Sequence, residues 1–382
     1  MTLHRFALAA PVAVLLCLAS AARGQGTTAP NDTTQAVVQK QLLKTRSMQI
    51  NAYPYAYYTP ETELAFGAGG ITTFYTSHED AILRPSKITA SGYYSTKKQY
   101  KFTVSPQLYF ARNLTIVSSN IDYGFYVDKY WGIGNETPDL DEPEFESRAF
   151  GFDATLQLPP IFKFIEGTTT GFIFDLYNSD VVDTRDNPAL EDEEIRGIDG
   201  GASTGLGLSW TWDTRDQVFY PTHGRYYQLK SVFYGSWLGG DFDFNRYDVD
   251  LRQYISLKPQ QILALQGYVQ CIGGNPAFYE MPALGGQRIM RGYYQGRYRD
   301  EVLAAVQTEY RGHIRGRLGF VAFAAVGDVG TRLVDVKIKD LKTSLGGGIR
   351  FKFNQAENVN LRADIGFGRG TSGVYFGLEE AF

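Results

Sequence analysis

Cysteine is nearly absent: the 382 residues hold two, and Cys17 lies in an apolar stretch at the very start. Once that stretch is removed Cys271 stands alone, which excludes an internal disulfide framework. After Ser20 no run approaches the ~20 apolar residues of a helical span, which excludes a helical membrane protein. Neither sign of charge dominates, with 37 Lys+Arg against 41 Asp+Glu and a formal net charge of −4. Without a basic excess, no nucleic acid is expected as a partner. His78, His223 and His313 are too scattered for metal-ligand pairing. The carboxylates of Asp180–Glu194 lack the ordered Asp-x-Asp-x-Asp-Gly spacing of a calcium loop and read as a solvated external loop. No Gly-x-Ser-x-Gly elbow and no His–Ser constellation that would support a barrel lipase are recognised. Catalytic residues, metal and cofactor are therefore expected to be none, and the chain does not read as an enzyme.

What the chain has instead begins with an export signal. Arg5 gives a positive start, Phe6–Ser20 an apolar run interrupted by Pro11, and Ala22-Arg23-Gly24 a cleavage region before Gln25. Residues 1–24 read as a cleavable secretory signal peptide, too short and wrongly flanked for a span. Residues 25–47 read as a disordered or short helical lead-in, with no room for a folded soluble domain ahead of residue 48. Aromatics make up 14% of the chain and glycines number 41. An exported chain so aromatic, and without apolar helices, is expected to be built of strands.

The alternation is plain in the second half. Val359, Leu361, Ala363, Ile365 and Phe367 share one face, opposite Asn360, Arg362 and Asp364. Val249, Leu251, Ile255 and Leu257 likewise oppose Asp248, Asp250, Arg252 and Ser256. Strand after strand, the polar face carries both signs of charge and many glycines. A soluble sandwich has no need of that pattern, whereas a barrel lumen encloses it and turns the apolar face to lipid. Only helices and closed barrels satisfy every backbone group in hydrocarbon. The expected fold class is all-β: a transmembrane antiparallel β-barrel of about 16 strands over residues 48–382, with a long loop folded into the lumen.

Strands are expected at Glu301–Gly312, Leu318–Gly330, Leu341–Phe353, Glu357–Gly368 and Gly373–Phe382, after about ten between Thr62 and Ile272. An even count is the rule for such barrels. It places the missing strand in Met48–Tyr58, despite Pro54. Short connections at 258–260 and 315–317 suit the periplasmic rim. Long ones at 128–146, 180–200 and 273–299 suit the outside.

Five segments then stand in order. They are Tyr130-Trp131-Gly132-Ile133-Gly134-Asn135; Trp212-Asp213-Thr214-Arg215-Asp216 with Pro221-Thr222-His223-Gly224; Leu284-Gly285-Gly286 with Met290-Arg291-Gly292-Tyr293; Gly327-Asp328-Val329-Gly330; and Leu361-Arg362-Ala363-Asp364. Together they resemble the BamA/TamA family of outer-membrane assembly and translocation barrels, the bacterial surface antigens, over about residues 53–382. The third is similar to the family's Gly-Gly…Val-Arg-Gly-aromatic loop, with Met in the Val position. The resemblance implies residence in the cell outer membrane and a role in inserting or translocating proteins there. It implies as partners outer-membrane lipids and lipopolysaccharide, client outer-membrane proteins, and a separate periplasmic docking protein in place of the family's own docking domains. The alternative is a barrel-only channel or structural protein with no insertase activity. Gly377 and Phe382 would be the terminal-strand signal, with Glu380 where the family usually carries an aromatic.

The loop Gly285–Asp300 crowds four arginines among glycines and aromatics. Gly285 and Gly286 free its backbone to fold inward, and Gly292 lets it pass close to a wall. Arg291 offers a permanently charged fork of donors suited to carboxylates, and Glu301, Glu309, Asp328 and Asp364 are the candidates on the last strands. The resemblance implies that the loop tucks into the lumen with its arginine against such a wall. Arg291 is expected to hold Asp328, with Asp364 nearby and Tyr293 packed at the contact. Arg288, Arg297 and Arg299 are expected on a wet outer surface or against lipopolysaccharide phosphates. Asp213 and Asp216 are expected to fix a turn through Arg215.

Overall fold

Period-two alternation dictates strands, and strands in hydrocarbon must pair on both edges. The computed structural model describes residues 48–77, 83–140, 143–159, 165, 167–191, 194–354 and 359–382. The expected signal peptide and lead-in lie outside the described residues. The barrel strands are β1 Gln49–Thr59, β2 Glu63–Phe74, β3 Ser86–Ser95, β4 Tyr100–Phe110, β5 Thr115–Lys129 and β6 Glu144–Leu158. They continue with β7 Thr168–Asp183, β8 Gly201–Asp213, β9 Gly224–Tyr234, β10 Phe244–Lys258 and β11 Gln261–Gly274. After the arginine loop come β12 Val302–Arg315, β13 Leu318–Gly330, β14 Lys342–Asn354, β15 Val359–Gly368 and β16 Thr371–Leu378. Each pairs with its sequence neighbour, and β1 meets β16, so the sheet is a closed antiparallel barrel of 16 strands.

Burial is inverted relative to a soluble protein. On β15, Asn360, Arg362 and Asp364 are buried while Leu361, Ile365 and Phe367 are exposed. On β14, Ser344 and Arg350 are buried while Leu345 and Ile349 are exposed, and on β10 Asp250 is buried while Leu251, Ile255 and Leu257 are exposed. Charged groups inside and an apolar surface outside is the arrangement that lipid requires.

The strand left open by the even-count rule is β1, and it contains Pro54, paired opposite Ala68 of β2. Proline has no N–H to give to a second ladder and is confined to edges. β1 supplies such an edge, because its ladder to β16 is confined to Tyr58 opposite Phe376. The last strand differs from expectation: it stops at Leu378 and does not reach Phe382. Glu379 takes a φ of 66°, a left-handed conformation that bends the chain out of the sheet.

The outward face of β14 gives a direct test. Ile349→Arg should cost ~2–4 kcal/mol if the residue sits at the bilayer midplane. Denaturant titration of the barrel folded in lipid vesicles measures it, with Ile349→Leu expected to leave the midpoint nearly unchanged.

Candidate functional site

The segment between β11 and β12 is drawn together at its base, where Ala283–Leu284 pairs antiparallel with Tyr298–Arg299. Gly285 turns the chain at φ 112°, where a Cβ would come 2.3 Å from the Tyr294 carbonyl oxygen. The Gly286 N–H donates to the Tyr293 carbonyl at 3.0 Å. Gly292 has φ 111°, and a Cβ there would sit 2.8 Å from the Phe367 backbone. Reciprocally, a Cβ on Gly366 would sit 2.7 Å from the Arg291 carbonyl group. Loop backbone thus rests directly on strand backbone, which only hydrogen on both sides permits.

That approach delivers Arg291 to the buried face of the wall. Its Nη1 donates to Asp364 of β15 and its Nη2 to Glu309 of β12, both at 2.5 Å. The guanidinium lies over the Phe323 ring, 3.6 Å from its centre. Ser344 donates to the Arg291 carbonyl, and the Gly292 N–H donates to the Tyr375 hydroxyl at 2.9 Å. Tyr293 donates its hydroxyl to the Thr343 carbonyl at 3.0 Å and accepts from the Arg369 N–H at 2.8 Å. Leu284, Met290 and Tyr293 pack on Leu303, Ala305, Ala325 and Val329.

Both carboxylates are shared onward. Glu309 also accepts from Arg311 at 2.8 Å, and Asp364 from Arg350 at 2.5 Å. Arg350 reaches Glu380 at 2.7 Å, and Glu380 accepts from the Asn360 amide at 2.8 Å. Arg362 donates to the Gln287 side chain of the loop at 2.8 Å. The Phe382 main-chain oxygen accepts from Arg311 at 2.8 Å, and its ring packs with Ala381, Tyr254 and Ala264. Phe382 is therefore buried away from the strand on which Gly377 sits.

Three expectations are corrected. Arg291 does not hold Asp328, which instead pairs with Lys342. On this strand Val321, Phe323 and Ala325 are the buried face, with Phe323 under the Arg291 guanidinium and Ala325 against Met290 and Tyr293, so a face that reads as lipid-facing by its apolar side chains is turned to the loop instead. Arg299 is buried, donating to the Phe278 carbonyl at 3.1 Å and lying over the Tyr130 ring. Arg297 donates to Thr137 at 2.7 Å and stacks near Trp131 and Tyr298, so neither lies free on a wet surface. Finally, Gly201-Ala202-Ser203-Thr204-Gly205 does spell Gly-x-Ser-x-Gly, which sequence reading passed over. It lies within β8 with Ser203 buried, not on the strand-to-helix turn that a nucleophile elbow requires. Among the described residues no group of three or more His, Cys, Asp or Glu could hold a metal ion.

The turn between β8 and β9 is tied by its carboxylates. Arg215 donates to Asp213 at 2.9 and 2.8 Å. Asp216 accepts from the Thr222 hydroxyl at 2.6 Å and from the Thr222 and His223 N–H groups at 2.8 and 3.2 Å, not from Arg215. Burial opposes the Asp216 charge, but these donors outweigh it and hold its carboxyl below the usual aspartate range.

With this geometry in place the family is decided by one match: the Omp85 superfamily domain covers residues 84–382. The chain belongs to the Omp85 superfamily. Solved structures agree on the fold. BamA from Haemophilus ducreyi lacking POTRA domains 1–3 gives a TM-score of 0.62 at 12% identity, covering 95% of this chain and 81% of that one. CdiB from Acinetobacter baumannii gives 0.56 at 13%, covering 87% and 60%, and CdiB from Escherichia coli 0.55 at 13%, covering 93% and 72%. At such identities the likeness is one of fold alone. No curated protein matches the chain.

Two outcomes follow for this Omp85 barrel. Arg291→Ala removes both ion pairs of the loop but leaves Glu309 on Arg311 and Asp364 on Arg350, so it should weaken loop anchoring by less than the ~3–5 kcal/mol of a pair broken with one charge left unpaired. The barrel should keep its heat-resistant gel mobility while external trypsin begins to cut residues 285–299; unchanged cleavage would refute the anchor. The depressed Asp216 contributes stability above the unfolded aspartate value of about 3.8 and loses it as pH falls through the lower folded value. Amide exchange at Thr222 and His223 should therefore stay slow at pH 5 and accelerate only in stronger acid.

Proposed function

We propose that this Omp85 barrel inserts or translocates proteins at the outer membrane, using the junction of β1 and β16 as the opening. The observation that carries it is the seam. β1 ladders with β2 along its whole length, Gln49–Thr59, but meets β16 only where Tyr58 faces Phe376. β16 is short, and the chain leaves the sheet at Glu379 to place Glu380 on Arg350 and Phe382 against Tyr254 and Ala264. The stretch of β1 before Tyr58 therefore keeps an unladdered edge, a template for an incoming strand's hydrogen bonds. In this reading residues 285–299 form a plug within the lumen, anchored by Arg291, Gly292 and Tyr293 through Asp364 and Glu309, with Gly285 and Gly286 as its turn.

A second reading, a channel without insertase activity, draws on a cavity of about 900 Å³ beside the loop, lined by Asp122, Asp153, Asp175, Arg246, Tyr126 and Tyr177 among others. A seam lock separates the two. Directly opposed antiparallel residues have Cα atoms ~4.5–5.5 Å apart, within disulfide range. Tyr58→Cys/Phe376→Cys in a Cys271→Ser background, reconstituted in vesicles, should lose at least tenfold of its insertion of an unfolded client barrel when oxidised and regain it on reduction. Equal insertion in both states would defeat the seam. Steady ohmic conductance with no insertion in either state would favour the channel.

A further inference from the structure

At the short-turn end of the barrel a second cavity, of about 360 Å³, opens between the β10–β11 and β12–β13 turns. Its lining includes Lys258, His313, Arg317, Arg350 and Lys352, and no carboxylate among the described residues. Arg350 is occupied by Asp364 and Glu380. Lys258, Arg317 and Lys352 have no ion-pair partner among the described residues. Unpaired cations converging on one concavity attract and orient anions. The question is which anion.

Position answers half of it. Lys258, His313 and Lys352 line this cavity together with Ile262, Gly312 and Arg350, which are buried within the barrel. These side chains line the inside of the wall, so the headgroups of the surrounding leaflet, which meet its outer face, do not reach them. The occupant must arrive from water.

The chain's own tail answers the other half. Glu380 sits on Arg350 and Asn360, and the Phe382 main-chain oxygen on Arg311. The same wall thus already holds a carboxylate-bearing peptide through an arginine and a backbone oxygen. Capacity remains beside it. Arg311 is buried, yet its Nη1 has no partner, and Arg311 and Lys352 stand 5.7 and 6.0 Å from the ring of Tyr220, which lines the cavity.

We propose that this basic vestibule receives an acidic peptide segment of a soluble protein on the short-turn, periplasmic side of the membrane. Glutamate or aspartate side chains pair with Lys258, Lys352 and Arg317, next to the place where the tail's own Glu380 is held. Electrostatic docking of this kind sets on-rate and selectivity and is sensitive to salt. It requires no seam opening, so it stands apart from the insertion reading.

The full-length barrel in neutral detergent micelles, titrated into fluorescein-labelled hexaglutamate and hexaglutamine, tests it by fluorescence anisotropy. Hexaglutamate should bind and weaken as salt rises, and hexaglutamine should not bind. Lys258→Glu/Lys352→Glu should weaken hexaglutamate at least tenfold, whereas Lys337→Glu/Lys339→Glu, at the opposite end of the barrel, should leave it unchanged. If the first variant loses its heat-resistant mobility, Lys258→Gln/Lys352→Gln gives the same comparison. Equal binding by wild type and a folded vestibule variant would overturn the proposal. So would displacement of the probe by inorganic phosphate at matched ionic strength, which would mark a simple anion site, or binding seen only once anionic phospholipid is added. The assay reads binding alone, so its failure leaves the insertion reading intact, and a failed insertion assay leaves this one standing.

Discussion

One guanidinium ties together parts of the chain that share no ladder. Arg291 binds Glu309 on β12 and Asp364 on β15, with β13 and β14 lying between them. A fork with fixed geometry can bridge two carboxylates only if both walls hold them at the right separation. The loop is thereby fixed by the curvature of the barrel and in turn braces it. The backbone contact of Gly292 with Gly366–Phe367 sets the depth at which the fork arrives. Tyr293 and Tyr375 complete the fit by giving buried backbone groups partners that water would otherwise supply.

Much of this architecture was legible because its causes are local. Alternation in 358–368 and 247–258 follows from strand geometry, and the structure buries Asn360, Arg362, Asp364 and Asp250 while exposing Leu361, Ile365, Phe367, Leu251, Ile255 and Leu257. β1 was legible from the parity of the strand count even though Pro54 masks it. Asp364 could be assigned to the buried face because its strand is apolar on one side and charged on the other. Asp328 could not. In β13 the buried face carries Val321, Phe323 and Ala325, and a loop remote in sequence lays Arg291 over Phe323 and Met290 and Tyr293 against Ala325. Period-two reading assumes that apolar means lipid, and it fails where another part of the chain packs on the strand face. Glu309 lay in view as one carboxylate among several, and nothing in its neighbours singled it out. The fate of Phe382 was hidden for a related reason. A strand ending in an aromatic looks continuous, and only the left-handed Glu379, an unusual choice for a non-glycine residue, breaks it.

The ion network gives that break a cause. Four arginines, Arg291, Arg311, Arg350 and Arg362, crowd the buried wall against Glu309 and Asp364. Two carboxylates cannot compensate four permanent cations in a sheltered site, and an uncompensated buried charge is costly. Glu380 supplies a third, and the Phe382 main-chain oxygen adds an acceptor for Arg311. To reach them the chain must leave the sheet at Glu379, and in leaving it withdraws the residues that would stand opposite β1 before Ala56. The charge balance of the interior and the shortness of the β1–β16 ladder are thus linked through one turn. A strand offered to β1 from outside would not have to displace a formed ladder there, because the arginines have already drawn the competing residues inward.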